Sequence, residues 1–472
     1  MRRWGAAAFV AASLIGGVLL PTVPATAMHG AVPGDFNGDG YRDAVLPAPG
    51  ANVSGKEGAG AVVVLYGSAS GLSASRRKTI TQNTAGVPGV SEAGDAFGSA
   101  TATADLNRDG YADLVIGTPY EDTSKGTESG AVTVLWGSRS GLTSGTDLPS
   151  PFSSPSHYGE DVAALGLGAG SRTRVAVAGE DGTVTLGGPF SRTGTFGSAV
   201  HNDDTTSPLS VALGDFNGDG VPDPASSTDR LSGLSGLSGG EIYTTPAYGN
   251  ALKGNGLITA SGDINGDGYA DLVAGDPDEP EKAGVDGATG GRVLVWYGSA
   301  TGVSPATTPV QITQNTAGVP GASEKDDAFG GSLAVADLDR DGLADIVIGA
   351  PYESLAKNRA GQVTVVPGRR SGALGTGSYS FSQDTAGVPG AAETDDFFGT
   401  TVSVGDVDKD GRPELFVSAV GENNDAGAVW VFPGGSTRPT ATGSRVITAH
   451  AVGLTQTSFP ALLGGDGLLS RI

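Results

Sequence analysis

The chain has 472 residues, a formal charge of −23, no cysteine and 79 glycines. The absent thiols exclude disulfide staples and every cysteine-based metal site or nucleophile. The acidity argues against phosphate-driven binding of nucleic acid and against docking on an anionic membrane surface.

In chain order, Arg2 and Arg3 precede an apolar run from Gly5 to Leu20, and Ala25-Thr26-Ala27 supplies a small-residue cleavage motif. Residues 1–27 are therefore expected to be a secretion signal. No later stretch approaches the roughly 20 apolar residues of a membrane span, and the C-terminal GGDGLLSRI is no hydrophobic sorting tail. The expectation is a secreted, extracellular monomer.

From Asp35 onward one acidic phrase recurs: DFNGDG at Asp35 and Asp215, DLNRDG at Asp105, DINGDG at Asp263, DLDRDG at Asp337 and DVDKDG at Asp406. Positions 1, 3, 5 and 9 offer side-chain oxygens, and position 7 offers a backbone carbonyl. The first three sets are Asp35, Asn37, Asp39, Tyr41, Asp43; Asp105, Asn107, Asp109, Tyr111, Asp113; and Asp215, Asn217, Asp219, Val221, Asp223. The other three are Asp263, Asn265, Asp267, Tyr269, Asp271; Asp337, Asp339, Asp341, Leu343, Asp345; and Asp406, Asp408, Asp410, Arg412, Glu414. Glycine at position 6 permits the sharp turn such a set needs, and an all-oxygen set suits calcium. Turn propensity explains one such loop; it does not explain a ninth-position carboxylate in all six. An EF-hand needs glutamate at position 12, where this chain has Leu46, Ile116, Ser226, Ala274, Ile348 and Val417. About six calcium sites are expected, with Pro222 and Pro224 crowding one loop and the longer Glu414 altering another.

Each acidic loop sits between strand-like runs. In the unit at Asp327 these are SLAVADL, ADIVIGA, GQVTVVP and SYSFSQ, and no amphipathic helix of useful length interrupts them. A third unit, about residues 158–190, keeps an opening Tyr-Gly but replaces the acidic loop with GLGAGSRTR. Six intact units and one degenerate unit predict an all-β chain, a seven-bladed β-propeller of four antiparallel strands per blade spanning residues 28–472. The first unit lacks most of its opening strand, and the C-terminal FPALLGGDGLL resembles the missing piece, so the two ends are expected to share one blade.

Phe-Gly pairs at Phe97-Gly98, Phe196-Gly197, Phe329-Gly330 and Phe398-Gly399 open units, and Gly349-Ala350-Pro351, with variants at Gly117 and Gly275, closes second strands. With the intervening acidic loop, this pattern resembles the FG-GAP repeat of integrin alpha propellers and their bacterial relatives. The resemblance implies a seven-bladed propeller with calcium loops on one face, serving adhesion, ligand binding or assembly. Similar propellers also accompany some hydrolases.

No catalytic constellation stands out. His29, His157, His201 and His450 are scattered, and Ser238 in GLSGG matches a nucleophile elbow only formally, because no helix follows it. A non-catalytic extracellular binding or adhesion module is the first reading, and a secreted hydrolase with a site built from propeller loops is the second. Strand parity places the loops carrying Tyr120, Glu121, Tyr352 and Glu353 opposite the acidic hairpins, where a protein or glycan ligand is expected to bind. The recurring TAGVPG segments read as structural turns.

Overall fold

Runs such as DIVIGA at Asp345–Ala350 are short, rich in β-branched residues and buried along their whole length. They form second strands sandwiched between neighbouring sheets. The computed structural model describes residues 25–26, 32–203, 207–229, 240–244, 251–280, 286–454 and 460–467. Consecutive strands pair antiparallel into seven sheets, giving blade 1 (32–80), blade 2 (100–148), blade 3 (162–203), blade 4 (208–256), blade 5 (258–312), blade 6 (332–381) and blade 7 (398–448). Each blade has four strands, so the chain is an all-β, seven-bladed propeller. Blade 6 gains an extra bridge from Ala25–Thr26, which pairs with Val335 and Ala334 and touches the inner strands of several other blades. The rest of the expected secretion signal lies outside the described residues.

The apolar core lies between blades rather than within them. Val62, Val64 and Ile80 of blade 1 meet Phe97, Leu114 and Leu135 of blade 2, and Phe398, Trp430 and Phe432 pack one side of blade 7 against blade 6. The interface between blades 3 and 4 is thinner, built from Ala163, Ala176, Ala178, Val211 and Leu213.

The Phe-Gly pairs act as hooks between blades. The N–H groups of Phe97, Tyr158, Phe329 and Phe398 donate to Ala59, Ser129, Gly290 and Ala360 of the preceding blade at 2.7–3.1 Å. The glycine following each of those acceptors has a positive φ, and a Cβ there would lie 2.1–2.4 Å from hook backbone. Only glycine lets the chains approach so closely. Blade 1 takes its hook from the far end of the chain. Leu463 N–H donates to Ala426 at 3.0 Å and Gly464 N–H to Pro47 at 2.8 Å, so Leu463-Gly464 stands where Phe-Gly stands elsewhere. The two ends do share one blade, through this hook, while all four strands of blade 1 come from its N-terminal side.

One expected hook is misplaced. Phe196-Gly197 precedes Ser198–Asp203, the outer strand of blade 3, and Gly197 donates back to Gly187 at 2.8 Å. The hook of blade 3 is Tyr158-Gly159. Its hairpin, with a short 3₁₀ turn at Gly170–Arg172, joins two strands of a complete blade that extends past residue 190 to Asp203.

Candidate metal centres on one face of the ring

Each acidic phrase folds into the hairpin joining the first two strands of its blade. Its polar atoms are arranged alike in all six. The position-1 carboxylate accepts the N–H of the position-6 glycine (Gly40, Gly110, Gly220, Gly268, Gly342, Gly411) at 2.8–3.0 Å. Position 3 accepts the N–H of position 5 at 2.8–3.1 Å. Position 5 in turn accepts the N–H of position 7, from Tyr41, Tyr111, Val221, Tyr269, Leu343 or Arg412, at 2.8–3.2 Å. The position-6 glycines all have positive φ, 79–92°, which a side chain would resist.

The ninth residue behaves differently. Asp43, Asp113, Asp271 and Asp345 open the second strand, fully buried, and each accepts two backbone N–H groups. One donor comes from its own hairpin, such as Phe36 to Asp43 at 3.0 Å; the other is Gly67, Gly137, Gly298 or Gly368 at 2.9–3.0 Å, in the turn between strands 3 and 4. Glu414 makes the same pair of contacts with Val407 at 2.8 Å and Gly434 at 3.4 Å, its extra methylene accommodated. Burial pushes all five carboxyls up to about 7, opposed by the two N–H donors and reinforced by neighbouring hairpin carboxylates. A buried acid among acids is stabilised in its charged form by a cation.

The donor set fits one. Asp337, Asp339 and Asp345 bring one oxygen each within 4.8 Å of one another, and so do Asp406, Asp408 and Glu414. Positions 1, 3 and 9 thus converge where all three are acids; the other four hairpins carry asparagine at position 3. All the donors are hard oxygens, a set that suits calcium. The hairpin at Asp215 departs from the rest. Asp223 is half-buried, Arg174 approaches it, and the Arg174 guanidinium donates to the Pro222 carbonyl at 2.5 Å. A resident positive charge there competes with a metal.

Blade 3 shows what replaces the acids. Thr173 pairs with Gly166 in the register where Asp345 pairs with Ala336. Its hydroxyl donates to the Gly168 carbonyl at 2.8 Å, so a neutral residue holds a shorter hairpin.

On the opposite face, the loops between strands 2 and 3 are packed down. Tyr120 stacks edge-on against His157 at 5.1 Å, and Tyr352 against Phe397 at 5.5 Å with Arg359 over its ring. Glu353 is buried and Glu121 partly so. These four residues pack into the scaffold on the face where the ligand is expected to bind. The TAGVPG segments do form structural turns, with Val87, Val319 and Val388 N–H groups bonded to Thr84, Thr316 and Thr385. His157 sits 3.0 Å from Glu180 and 3.9 Å from Glu128. His29 and Ser238 lie outside the described residues.

The sequence matches the FG-GAP repeat family at residues 29–65, 97–135, 255–296, 329–366 and 398–432. It is 31% identical over 183 residues to phosphatidylinositol-glycan-specific phospholipase D of Mus musculus, covering 38% of this chain and 20% of that one. It is also 31% identical to integrin alpha-V of Gallus gallus, covering 46% and 20%, and 29% identical to integrin alpha pat-2 of Caenorhabditis briggsae, covering 49% and 19%. These matches span about a fifth of the length of each relative. Among solved structures, exotype rhamnogalacturonan lyase YesX aligns over 85% of this chain and 71% of its own at 14% identity and a TM-score of 0.38. Five matched repeats, the integrin alpha relatives and seven four-stranded blades together place the chain among the FG-GAP, integrin-alpha-like β-propellers.

Proposed function

We propose that the protein is a secreted, calcium-stapled binding module without catalytic chemistry of its own. The observation that carries the calcium is the convergence of positions 1, 3 and 9 beside a buried carboxylate pushed up to about 7. In this reading Asp337, Asp339 and Asp345 hold the ion in blade 6, with Asp341 and the Leu343 carbonyl completing the set, and the other five hairpins repeat the plan, the one at Asp215 against the competing charge of Arg174. The ion's role is to offset carboxylate repulsion and tie the first two strands to the turn between strands 3 and 4. The similarity to integrin alpha chains supports an extracellular protein or glycan as ligand. Exposed Val90 and Leu355, on loops opposite the hairpins, offer apolar contact area there.

Each filled site adds RT ln(1 + [Ca]/Kd), about 1.4 kcal/mol at ten times Kd. Thermal unfolding in excess chelator should therefore show a clear drop in Tm that calcium restores and magnesium restores poorly. An unchanged melting curve would reject the calcium sites. A glycan and host-protein array read with and without calcium tests the ligand, and turnover on a hydrolase substrate panel would favour the hydrolase reading instead.

A further inference from the structure

A second set of oxygen clusters repeats on the face opposite the hairpins. At the boundaries of blades 1 and 2, 5 and 6, and 6 and 7, a glutamine just after the outer strand meets a glutamate 39 residues later. The Nε2 of Gln82 donates to Glu121 at 2.5 Å, that of Gln314 to Glu353, and that of Gln383 to Glu422 at 2.9 Å. These glutamines are 5%, 2% and 2% exposed, and the Oε1 of every one has no hydrogen-bond partner. A buried acceptor left without a donor destabilises the fold. One instance could be local strain; the same orphan in three equivalent places points to an absent partner.

The surroundings supply more oxygen. Asp95, Asp327 and Asp396, each 2% exposed, belong to the connector between the same blades. Each commits one oxygen to a backbone N–H three residues earlier, at 2.6–2.7 Å. Those N–H groups belong to Glu92, Glu324 and Glu393, whose exposed side chains add acidity at the rim. Among the described residues no basic side chain forms an ion pair with Glu121, Glu353 or Glu422.

We propose that these three inter-blade pockets are additional cation sites, each taking a hard divalent cation such as calcium through the glutamate, the connector aspartate and the orphaned glutamine oxygen. An ammonium donor would satisfy the amide oxygen too, but the anionic oxygens beside it favour the higher charge. Among the described residues the glutamine–glutamate pair occurs at these three boundaries. At the blade 7–1 boundary Ala51 stands where Glu121 and Glu353 stand, each donating its N–H three residues back at the end of the second strand. Sites of this kind would clamp each blade to the next from the side opposite the hairpins.

Calcium bound to the full chain at neutral pH, counted by equilibrium dialysis and atomic emission, tests this. Six hairpins and three pockets predict about nine equivalents, and the triple variant Gln82→Leu, Gln314→Leu, Gln383→Leu should lose three. About six equivalents in both proteins would overturn the pockets while leaving the hairpins standing. About three falling to none would support the pockets and reject the hairpins. If the triple variant does not fold, Glu121→Gln, Glu353→Gln and Glu422→Gln should each lose one equivalent; no loss in any of them overturns the proposal.

Discussion

Blades 3 and 6 have the same four strands but close their first hairpin by different chemistry. Blade 6 places Asp345 under two backbone donors, Leu338 and Gly368, at 3.0 Å each, amid the carboxylates of Asp337 and Asp339. Blade 3 places Thr173 in that register, with a hydroxyl and no acid. The strands therefore do not need the acidic loop to form. What both blades keep is the hook, Tyr158-Gly159 or Phe329-Gly330, and the apolar faces it presses together. The acidic hairpin is a fastening added to a blade that the hook already holds.

Breaking the shared element should have the largest effect. Gly361→Val puts a Cβ about where the Phe398 carbonyl sits, 2.1 Å away, and Gly130→Val meets the Tyr158 N–H nitrogen at 2.2 Å. Both φ values also resist a side chain, +85° and +79°. We expect neither variant to give folded monomer by circular dichroism and size-exclusion chromatography. A native-like Gly130→Val protein would show that blade 3 does not depend on the hook.

Removing the distinguishing element should have a middling effect, and an unequal one. Asp345→Ala strands two buried donors and should cost about 3 kcal/mol in urea unfolding with calcium present. Thr173→Ala loses one hydroxyl bond and should cost about 1 kcal/mol, independent of calcium. Equal losses, or a calcium-dependent loss in Thr173→Ala, would erase the contrast between the two hairpins.

The smallest effect concerns how blade 3 meets blade 4. Their alanine-rich interface is pinned by Asp161, 1% exposed, which accepts Val211 N–H across the boundary at 2.8 Å. Burial pushes this carboxyl up to about 7, against an ordinary aspartate value near 3.9 in the unfolded chain. The folded state therefore holds a proton that the unfolded state releases, and this group's contribution to stability falls as pH rises from about 4 to 7. Asp161→Asn should flatten that slope and stay within about 1 kcal/mol of the parent at pH 8. An unchanged pH–stability profile would locate the titration elsewhere.

Much of this architecture is legible in the letters because its rules are local. A glycine at position 6 and oxygens at positions 1, 3 and 5 define a turn within a few residues, and four β-branched runs per repeat define a blade. The C-terminal Leu463-Gly464-Gly465 echoes Phe329-Gly330-Gly331 closely enough to reveal the ring closure. Locality also explains the errors. Phe196-Gly197 is the same dipeptide as the true hooks, but it precedes an outer strand, and only the sheet order separates the two cases. Tyr120 and Tyr352 look like exposed contacts until the neighbouring connectors bring His157 and Phe397 against them. Asp43 reads as a loop ligand, yet it also accepts a donor 24 residues away, and Gln82 finds Glu121 39 residues away. The first pairing depends on how strands stack within one blade, the second on how far each blade is turned toward the next. That angle is decided by side chains packing between sheets, because burial removes the water that would otherwise satisfy each polar atom where it stands.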